Sequence, residues 1–185
     1  MQRAFAWDAI TMTQIQAWVG DKLMPVDKTE AHARGLRHKA VSIFVMDGDK
    51  LLIQKRAAGR DHSAGKWSNT CCSHPDWDER PEHCAVRRLR EELGITGLYP
   101  AHADRIEYRA EVAEGLIEHE VVEVYLAHVR PGMQITPDPH EVSETRWVGL
   151  YDLAAEVRRH PERFSKWLRI YMNEQMGRIF STLIC

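Results

Sequence analysis

Residues able to transfer protons or bind cations are concentrated between Asn69 and Ile95. The segment begins Asn-Thr-Cys-Cys-Ser-His-Pro, so the adjacent thiols of Cys71 and Cys72 lie close in sequence to the imidazole of His74. It ends Arg-Arg-Leu-Arg-Glu-Glu-Leu-Gly-Ile, with two neighbouring carboxylates. Thiols, imidazoles and carboxylates can each exchange a proton or bind a metal ion. The segment therefore brings the groups needed for acid–base or metal chemistry near one site.

The end of this segment has the spacing of an amphipathic helix over residues 81–93, with a proline suited to its first turn. Two pairs of opposite charge lie at i,i+4 spacing and share one flank of that helix: Arg87 with Glu91, and Arg88 with Glu92. The apolar positions expected to form its buried stripe are Val86, Leu89 and Leu93. Taken alone, this pattern is more typical of a surface helix with ordinary ion pairs.

The spacing of the whole segment resembles the Nudix box, a loop-helix-loop that holds divalent cations against a diphosphate. Ser73, Glu79 and the run from Arg87 to Ile95 carry the resemblance. At two positions the chain departs from the family: Ser73 replaces a glycine, and Arg88 replaces a glutamate. A guanidinium in place of a metal-binding carboxylate weakens the cluster that hydrolysis needs, and its planar donors suit a phosphate oxygen. The resemblance therefore implies binding of a diphosphate without its cleavage.

Residues 67–75, Trp-Ser-Asn-Thr-Cys-Cys-Ser-His-Pro, narrow the resemblance to one branch of that superfamily. They are similar to the W-[ST]-N-x-x-C-x-H-P segment of type I isopentenyl-diphosphate isomerases, in which the cysteine is catalytic. His74 and Pro75 set the register in favour of Cys72, while one sequence leaves the assignment to Cys71 open. The alternative for a lone cysteine is a small buried hydrophobic residue.

A strand is expected over residues 115–126, where alternation puts one set of side chains on the most apolar face. That set is Glu118, Glu120, Val122, Val124 and Leu126, and His119 is expected on the opposite face. Carboxylates that point inward need partners such as cations, because burying them alone costs several kcal/mol. The strand therefore predicts a buried cation-binding site.

The resemblance implies a metal site that combines these two carboxylates with imidazoles from elsewhere in the chain. Its ligands are His32, His38, His74, Glu118 and Glu120. This donor set suits Mn²⁺ or Mg²⁺, and Zn²⁺ is also compatible. Without the resemblance, His32 and His38 are as readily interpreted as solvated surface residues.

The family divides proton transfer between a cysteine and a glutamate, and the resemblance assigns these roles to Cys72 and Glu120. Metal-bound Glu120 is paired with the hydroxyl of Tyr108 on the acid side, and Cys72 is the opposing group. Trp167 matches the aromatic residue that faces a carbocation, which an indole can stabilise by roughly 2 kcal/mol or more. Tyr108 and Trp167 could otherwise be ordinary core aromatics.

The resemblance also implies a set of cations for the diphosphate group of a prenyl diphosphate substrate. The matching positions are Lys28, Arg56, Arg60 and Arg88. Glu92 would hold a Mg²⁺ ion that bridges protein and diphosphate, with help from the carbonyl of Cys72. Each cationic side chain could otherwise be a solvated surface charge.

Composition sets the remaining limits. The chain has 185 residues, of which 44% are hydrophobic and 28% charged, so a single domain over residues 1–185 is expected, with residues 1–12 an extension of unassigned role. A net charge of −2 gives no electrostatic footprint for nucleic acid. Neither a membrane span nor a secretion signal is expected. Four cysteines without a disulfide pattern favour reduced thiols in the cytoplasm, and a monomer is the expected state.

The segments alternate in a way that predicts an α/β (α+β) fold, a mixed β-sheet sandwich flanked by helices, as the Nudix resemblance also implies. Expected hairpins join residues 14–19 to 22–26 and residues 41–46 to 50–55. Further strands are expected over residues 105–112, 116–129 and 145–148. Helices are expected over residues 81–93, 151–159 and 162–177.

Three functions remain open from the sequence. The first is an isomerase that interconverts isopentenyl and dimethylallyl diphosphate in isoprenoid biosynthesis, favoured by the Cys72 segment and by Arg88. The second is a Nudix hydrolase of a nucleoside or prenyl diphosphate, favoured by the box alone. The third is a non-catalytic module that binds a metal or nucleotide through the same residues.

Overall fold

A computed structural model describes residues 13–60 and 62–181 of the chain. The expected extension over residues 1–12 lies outside this range. The described residues form a mixed sheet whose strands are β1 (Gln14–Val19), β2 (Lys22–Asp27), β3 (Arg37–Asp47), β4 (Lys50–Arg56), β5 (Trp67–Ser68), β6 (Cys71–Ser73), β7 (Ala101–Ala113), β8 (Leu116–His128) and β9 (Val142–Gly149). The expected mixed sheet with helices outside it is confirmed.

Strand β3 is the centre of this sheet. It pairs in parallel with β8 over ten residues, and antiparallel with β1, β6 and β4. The expected hairpin of β1 and β2 is confirmed over its whole length. The expected hairpin of β3 and β4 is paired only at its tip, where Met46 faces Leu51 and Asp47 faces Lys50. The two strands then diverge, because β3 continues alongside β6 and β8 while β4 pairs with β5 and β9.

Alternation along β3 divides the interior into two apolar layers. Phe44 and Met46 face a cluster that includes the C-terminal helical residues Leu153, Trp167 and Tyr171. On the other face, three β3 residues and Leu52 pack against the helix after β6; these β3 residues are Val41, Ile43 and Val45. A strand covered on both faces is apolar at successive positions, as β3 is.

The box helix α2 spans Pro81–Leu93, as predicted, and ends at Gly94 in the left-handed conformation. Leu89 and Leu93 are buried as expected, but the expectation for Val86 is wrong, since 43% of its surface is exposed. The buried stripe runs instead through Cys84, Ala85, Leu89, Glu92 and Leu93. Val86 is one residue, about 100° of helix rotation, away from Ala85 and therefore misses the sheet.

The remaining helices are α1 (Lys28–Arg34), which the sequence analysis did not predict, α3 (Leu150–Arg159), α4 (Lys166–Ile170) and α5 (Met176–Ile179). The expectation of one helix over residues 162–177 is wrong in detail. Phe164 is extended and bridges Trp67, and Ser165 caps α4. A π-helical turn over Tyr171–Gln175 then joins α4 to α5. None of the helices in the described ranges is both long and apolar enough to cross a bilayer.

Candidate active site

Three neighbouring strands contribute side chains to one row across the sheet. His38 of β3 faces Glu120 of β8, and Glu120 in turn faces Tyr108 of β7. All three side chains are nearly or completely buried. Because register fixes which residues are opposite one another, the sheet itself places an imidazole, a carboxylate and a phenol side by side.

His32 and His38 share a hydrogen-bond arrangement that fixes their protonation. Nδ1 of His32 lies 2.7 Å from the Lys28 carbonyl oxygen, and Nδ1 of His38 lies 2.7 Å from that of Leu36. A carbonyl only accepts hydrogen bonds, so each Nδ1 carries a proton, and Nε2 is the atom that has a free lone pair in the neutral ring. Both Nε2 atoms are buried without a hydrogen-bond partner among the described residues. Nitrogen lone pairs prepared in this way are typical of metal ligands.

These lone pairs converge with two further donors on one point. One ligand atom from each of His32, His38, His74 and Glu120 lies within 4.8 Å of the others. His74 Nε2 is 3.0 Å from Glu120 Oε1, and His38 Nε2 is 3.6 Å from the same oxygen. Burial lowers the pKa of His74 to about 3, so the ring is neutral as a ligand must be. Imidazole nitrogens and a carboxylate around a shared centre fit a divalent metal ion.

The predicted carboxylate pair faces inward, as expected from the alternation of β8. The Tyr108 hydroxyl lies 2.9 Å from Glu118 and 2.7 Å from Glu120. Burial, and then the charge of Glu120, raise the pKa of Glu118 well above its ordinary value. Burial alone would raise the pKa of Glu120 too, but the facing imidazoles of His38 and His74 outweigh burial when they carry a proton on Nε2, and they then lower this pKa well below its ordinary value. The two neighbouring carboxyl groups therefore differ in how readily they hold a proton.

The adjacent cysteines point to opposite sides of the sheet. Cys72 faces the cavity beside the carboxylates, together with Tyr108 and Trp167. Cys71 is fully buried in the apolar layer against α2. Burial raises the pKa of the Cys72 thiol far above its ordinary value. Cys72 is thus the thiol of this pair that can meet a ligand in the cavity, in keeping with the register set by His74.

A cavity at this place brings together most of the predicted site residues. Its lining consists of Lys28, Arg56, Arg60, His62, Cys72, Ser73, His74, Tyr108, Glu118, Glu120 and Trp167. His32 and His38 are not in this lining, but both rings lie about 5 Å from the His74 ring, at 5.3 and 5.0 Å between centroids. The cavity therefore has a wall of possible metal ligands, a thiol and a group of three cations.

Trp167 closes one side of the cavity. Its Nε1 donates to Ser68 Oγ at 2.7 Å and to Asn69 Oδ1 at 3.2 Å, which fixes the indole plane. The Arg56 guanidinium lies 5.3 Å from the centre of the ring. Trp167 also belongs to the apolar cluster of the core. It is therefore both a core residue and part of the cavity lining.

Besides His32 and His38, two further predicted residues, Arg88 and Glu92, are not in the cavity lining. Arg88 donates to both Glu91 and Glu92, and it lies 3.4 Å from Glu141. Glu92 is buried, and its second oxygen accepts from Gln54 at 2.9 Å. The two predicted i,i+4 ion pairs on this flank of the helix are confirmed. In this structure Arg88 and Glu92 therefore form an ion pair with each other.

His62 lines the cavity but was missed by the sequence analysis. It is buried beside the Trp167 ring, and its Nε2 lies 3.7 Å from Glu118. Burial, and then the nearby charge of Arg56, lower its pKa to about 3. Together with His32 and Glu118 it forms a second group of possible metal ligands. An isolated histidine in a loop has no periodic pattern, so only its neighbours in space reveal it.

Comparison with known proteins identifies the fold and the relatives of this chain. The model of the NUDIX domain matches residues 36–168. An isopentenyl-diphosphate Delta-isomerase of Dinoroseobacter shibae is 60% identical over 91% of this chain and 96% of its own length. Proteins of the same name from Cereibacter sphaeroides and Ruegeria pomeroyi are 62% and 59% identical, over 91% and 90% of this chain and 96% and 92% of their own lengths.

Solved structures agree on the fold. A Deinococcus radiodurans structure superimposes with a TM-score of 0.68 at 14% identity, covering 86% of this chain and 96% of that chain. A MutT NUDIX hydrolase from Burkholderia pseudomallei has a TM-score of 0.59 at 26% identity, covering 75% and 97%. The mixed sheet with outer helices is therefore the NUDIX fold.

Proposed function

We propose an activity for this chain on the premise that it belongs to the NUDIX domain family and, within it, to the isopentenyl-diphosphate Delta-isomerases. The chain interconverts isopentenyl diphosphate and dimethylallyl diphosphate, a step of isoprenoid biosynthesis. The observation that carries the proposal is that Cys72 lines the same cavity as the Tyr108, Glu118 and Glu120 group. Proton-transfer groups from different strands thus face one cavity.

The reaction requires groups on both sides of the substrate. A proton is added to the terminal carbon of the double bond, and another is removed from the allylic carbon, through a tertiary carbocation. Because an alkene is a weak base, the acid must be strong and held in position, and water must be kept from the cation. A buried cavity with a carboxylate group at one wall and a thiol at another meets these needs.

We assign the two proton transfers to Glu120 and Cys72. Glu120, with the Tyr108 hydroxyl 2.7 Å away, serves the terminal carbon. Cys72 serves the allylic carbon, accepting a proton when dimethylallyl diphosphate forms and giving one in the reverse direction. The Trp167 ring beside the cavity is the surface that stabilises the carbocation, by roughly 2 kcal/mol or more for a desolvated cation.

The cationic side of the cavity is assigned to the diphosphate. Lys28, Arg56 and Arg60 lie together in its lining; the Arg60 guanidinium pairs with Glu141 through one terminal nitrogen, while its Nε is buried without a partner in the described structure. Arg88 and Glu92 of the box helix complete the proposed set, Glu92 as ligand of a Mg²⁺ ion bound with the diphosphate. Since they are paired with each other here, this part of the proposal requires their ion pair to open when substrate binds.

The metal centre is assigned to His32, His38, His74, Glu118 and Glu120. A divalent ion at this place, Mn²⁺ or Mg²⁺ by preference and Zn²⁺ as an alternative, would supply positive charge that orients Glu120 and favours release of its proton. The chain's own part is to hold His32 and His38 in the tautomer that frees Nε2, through the Lys28 and Leu36 carbonyls. Buried Glu118 and Glu120 then have cationic partners.

The relatives favour the isomerase over the hydrolase reading, and so does the box helix. Hydrolysis needs a cluster of carboxylates free to collect metal ions, whereas here Arg87 and Arg88 each pair with Glu91, and Arg88 also pairs with Glu92. We also propose a cytoplasmic location and action as a monomer. The thiols of Cys71, Cys72 and Cys84 are free in the described structure, which suits a reducing compartment.

The test is NMR of isopentenyl diphosphate incubated with the protein and Mg²⁺ in D₂O. The expected result is the appearance of the two dimethylallyl methyl signals, deuterium in the product and an unchanged diphosphate in the phosphorus spectrum. Release of a phosphate would instead establish the hydrolase. Binding of the substrate without any change in its spectrum would establish a non-catalytic module.

A further inference from the structure

Two buried hydroxyl groups lie behind the Cys72 thiol and have no role in the function proposed above. Ser42 Oγ is 3.0 Å from Cys72 Sγ and 2.8 Å from the Tyr171 hydroxyl oxygen. Ser42 is opposite Cys72 in the pairing of β3 with β6, and Tyr171 reaches it from the C-terminal helical segment. Both residues are essentially inaccessible, with exposures of 1% and 0%. Thiol and hydroxyls therefore form one buried chain.

Asn69 fixes the other end of this chain. Its Nδ2 donates at 3.1 Å to the carbonyls of Ile43 and of Cys71, so the amide cannot be turned over without losing both bonds. Its Oδ1 consequently faces the Cys72 sulfur at 2.9 Å. That oxygen can only accept, so the single proton of the thiol is directed to Asn69.

The direction of the remaining hydrogen bonds follows. Because the thiol proton is engaged with Asn69, the contact between Ser42 and Cys72 requires Ser42 to donate to sulfur. The proton of Ser42 is then used, so Tyr171 must donate to Ser42. The order of donation is Tyr171 to Ser42, Ser42 to Cys72, and Cys72 to Asn69. No other arrangement satisfies all three contacts at once.

Tyr171 is held at its place by the fold. The π-helical turn begins at this residue, and such turns are often found at functional sites. Its ring is packed edge-on against Phe44 at 5.7 Å and against Tyr108 at 6.2 Å between centroids. The Tyr171 hydroxyl therefore has a fixed direction. It can donate a hydrogen bond to Ser42 whether or not the sulfur of Cys72 carries a proton.

We propose that Ser42 and Tyr171 are positioning residues, which hold the sulfur of Cys72 toward the cavity through this two-hydroxyl relay. The Asn69 contact exists only while sulfur carries its proton, whereas donation by Ser42 persists when that proton has moved to the substrate. The relay thus keeps sulfur in one place in both directions of the reaction. Its effect on turnover rests on the isomerase function proposed above, but its effect on the thiol does not.

Turnover gives the first test, in the variants Ser42→Ala, Tyr171→Phe and the double variant. We expect kcat to fall about tenfold in Tyr171→Phe, and as much or more in Ser42→Ala, with KM for isopentenyl diphosphate unchanged. Since Tyr171 acts through Ser42, the double variant should be no slower than Ser42→Ala. Tyr125→Phe, which removes a hydroxyl from the opposite apolar layer, is the matched control and should leave kcat unchanged. Losses that multiply in the double variant, or an altered KM alone, would overturn the relay.

The S–H stretching band in the infrared gives a second test that does not depend on turnover. The Cys72 band is identified by its loss in Cys72→Ala. Hydrogen bonds in a chain strengthen one another, so removing the Ser42 donor should weaken the bond to Asn69 and shift the band to higher frequency. Tyr171→Phe removes only one oxygen atom. If Ser42→Ala does not fold, the band is measured in Tyr171→Phe instead, with a shift in the same direction expected. An unshifted band overturns the proposal, while a shifted band in a protein without isomerase activity overturns only the proposed function.

Discussion

His38 and Glu120 are direct partners across the parallel strands β3 and β8, and Nε2 of the first lies 3.6 Å from Oε1 of the second. This contact is a property of the sheet register. A shift of the pairing by one residue would replace Glu120 by a neighbour, His119 or Val121, that faces the other side. The proposed metal ligands are therefore as well ordered as the central strands that carry them.

The first prediction concerns the metal. Dialysed protein should bind one divalent ion per chain, and saturation at about 100 times the dissociation constant should raise the free energy of unfolding by about 3 kcal/mol. His38→Ala should abolish both effects because it removes a buried ligand. The measurements are elemental analysis and denaturant unfolding with and without Mn²⁺ or Mg²⁺.

His119→Ala is the matched control for the metal prediction. His119 is next to Glu120 in sequence, but its ring points to the outer face, where it contacts Glu107. Metal content and stabilisation should therefore be retained in this variant. Equal loss in His119→Ala and His38→Ala would show that the effect comes from the strand rather than from the ligand set.

The second prediction distinguishes the two adjacent thiols. Cys72→Ser should lower kcat about 10²- to 10⁴-fold, the usual contribution of a positioned proton-transfer group, with substrate binding retained. Cys71→Ser should remain active but lose about 1–3 kcal/mol of stability, because it puts a hydroxyl group into an apolar layer. Turnover assays and thermal unfolding check both. An inactive Cys71→Ser with an active Cys72→Ser would reverse the assignment.

Much of this site could be predicted from sequence because it depends on local periodicity. Alternation on β8 placed Glu118 and Glu120 inward, and the i,i+4 pattern of α2 gave its ion pairs. The prediction that Leu89 is buried is correct for the same reason. These features require only that a strand or helix packs with its apolar side inward.

The remaining features depend on contacts between distant segments. His62 belongs to a loop and acquires its neighbours only because that loop folds over β8 and Trp167. The break before α4 arises from the pairing of Phe164 with Trp67, almost a hundred residues earlier in the chain. The contact of Ser42 with Tyr171 also joins remote segments. Contacts between segments so far apart in the sequence cannot be predicted from the local pattern of residues.

The third prediction concerns the diphosphate. Arg60→Ala should raise KM for isopentenyl diphosphate about tenfold or more, because it removes a cation from the cavity lining, with a smaller effect on kcat. Lys55→Ala is the matched control, since Lys55 is a nearby cation that pairs with Glu144 away from the cavity. Steady-state kinetics measure both. A similar change of KM in the two variants would indicate a general effect of charge.

The fourth prediction concerns acid stability. Glu79 accepts from Arg87 at 2.7 and 2.6 Å and from the Asp76 backbone at 3.0 Å, linking the loop after His74 to α2. The hydrogen bonds from Arg87, outweighing burial, lower the pKa of Glu79 below its ordinary value of 4.5. Glu79→Gln should therefore lower the free energy of unfolding at pH 7 by about 1–2 kcal/mol, since a neutral amide accepts more weakly from a guanidinium.

The sign of the pH dependence follows from the direction of that shift. A carboxylate whose pKa is lower in the folded than in the unfolded state stabilises the protein fully above the unfolded value, and this stabilisation is lost as pH falls through the folded value. The unfolding free energies of wild type and Glu79→Gln should therefore differ above pH 4.5 and converge below it. Glu114→Gln, at an exposed position, should match wild type throughout. A constant difference down to the lowest pH would mean that Glu79 acts by packing rather than by its charge.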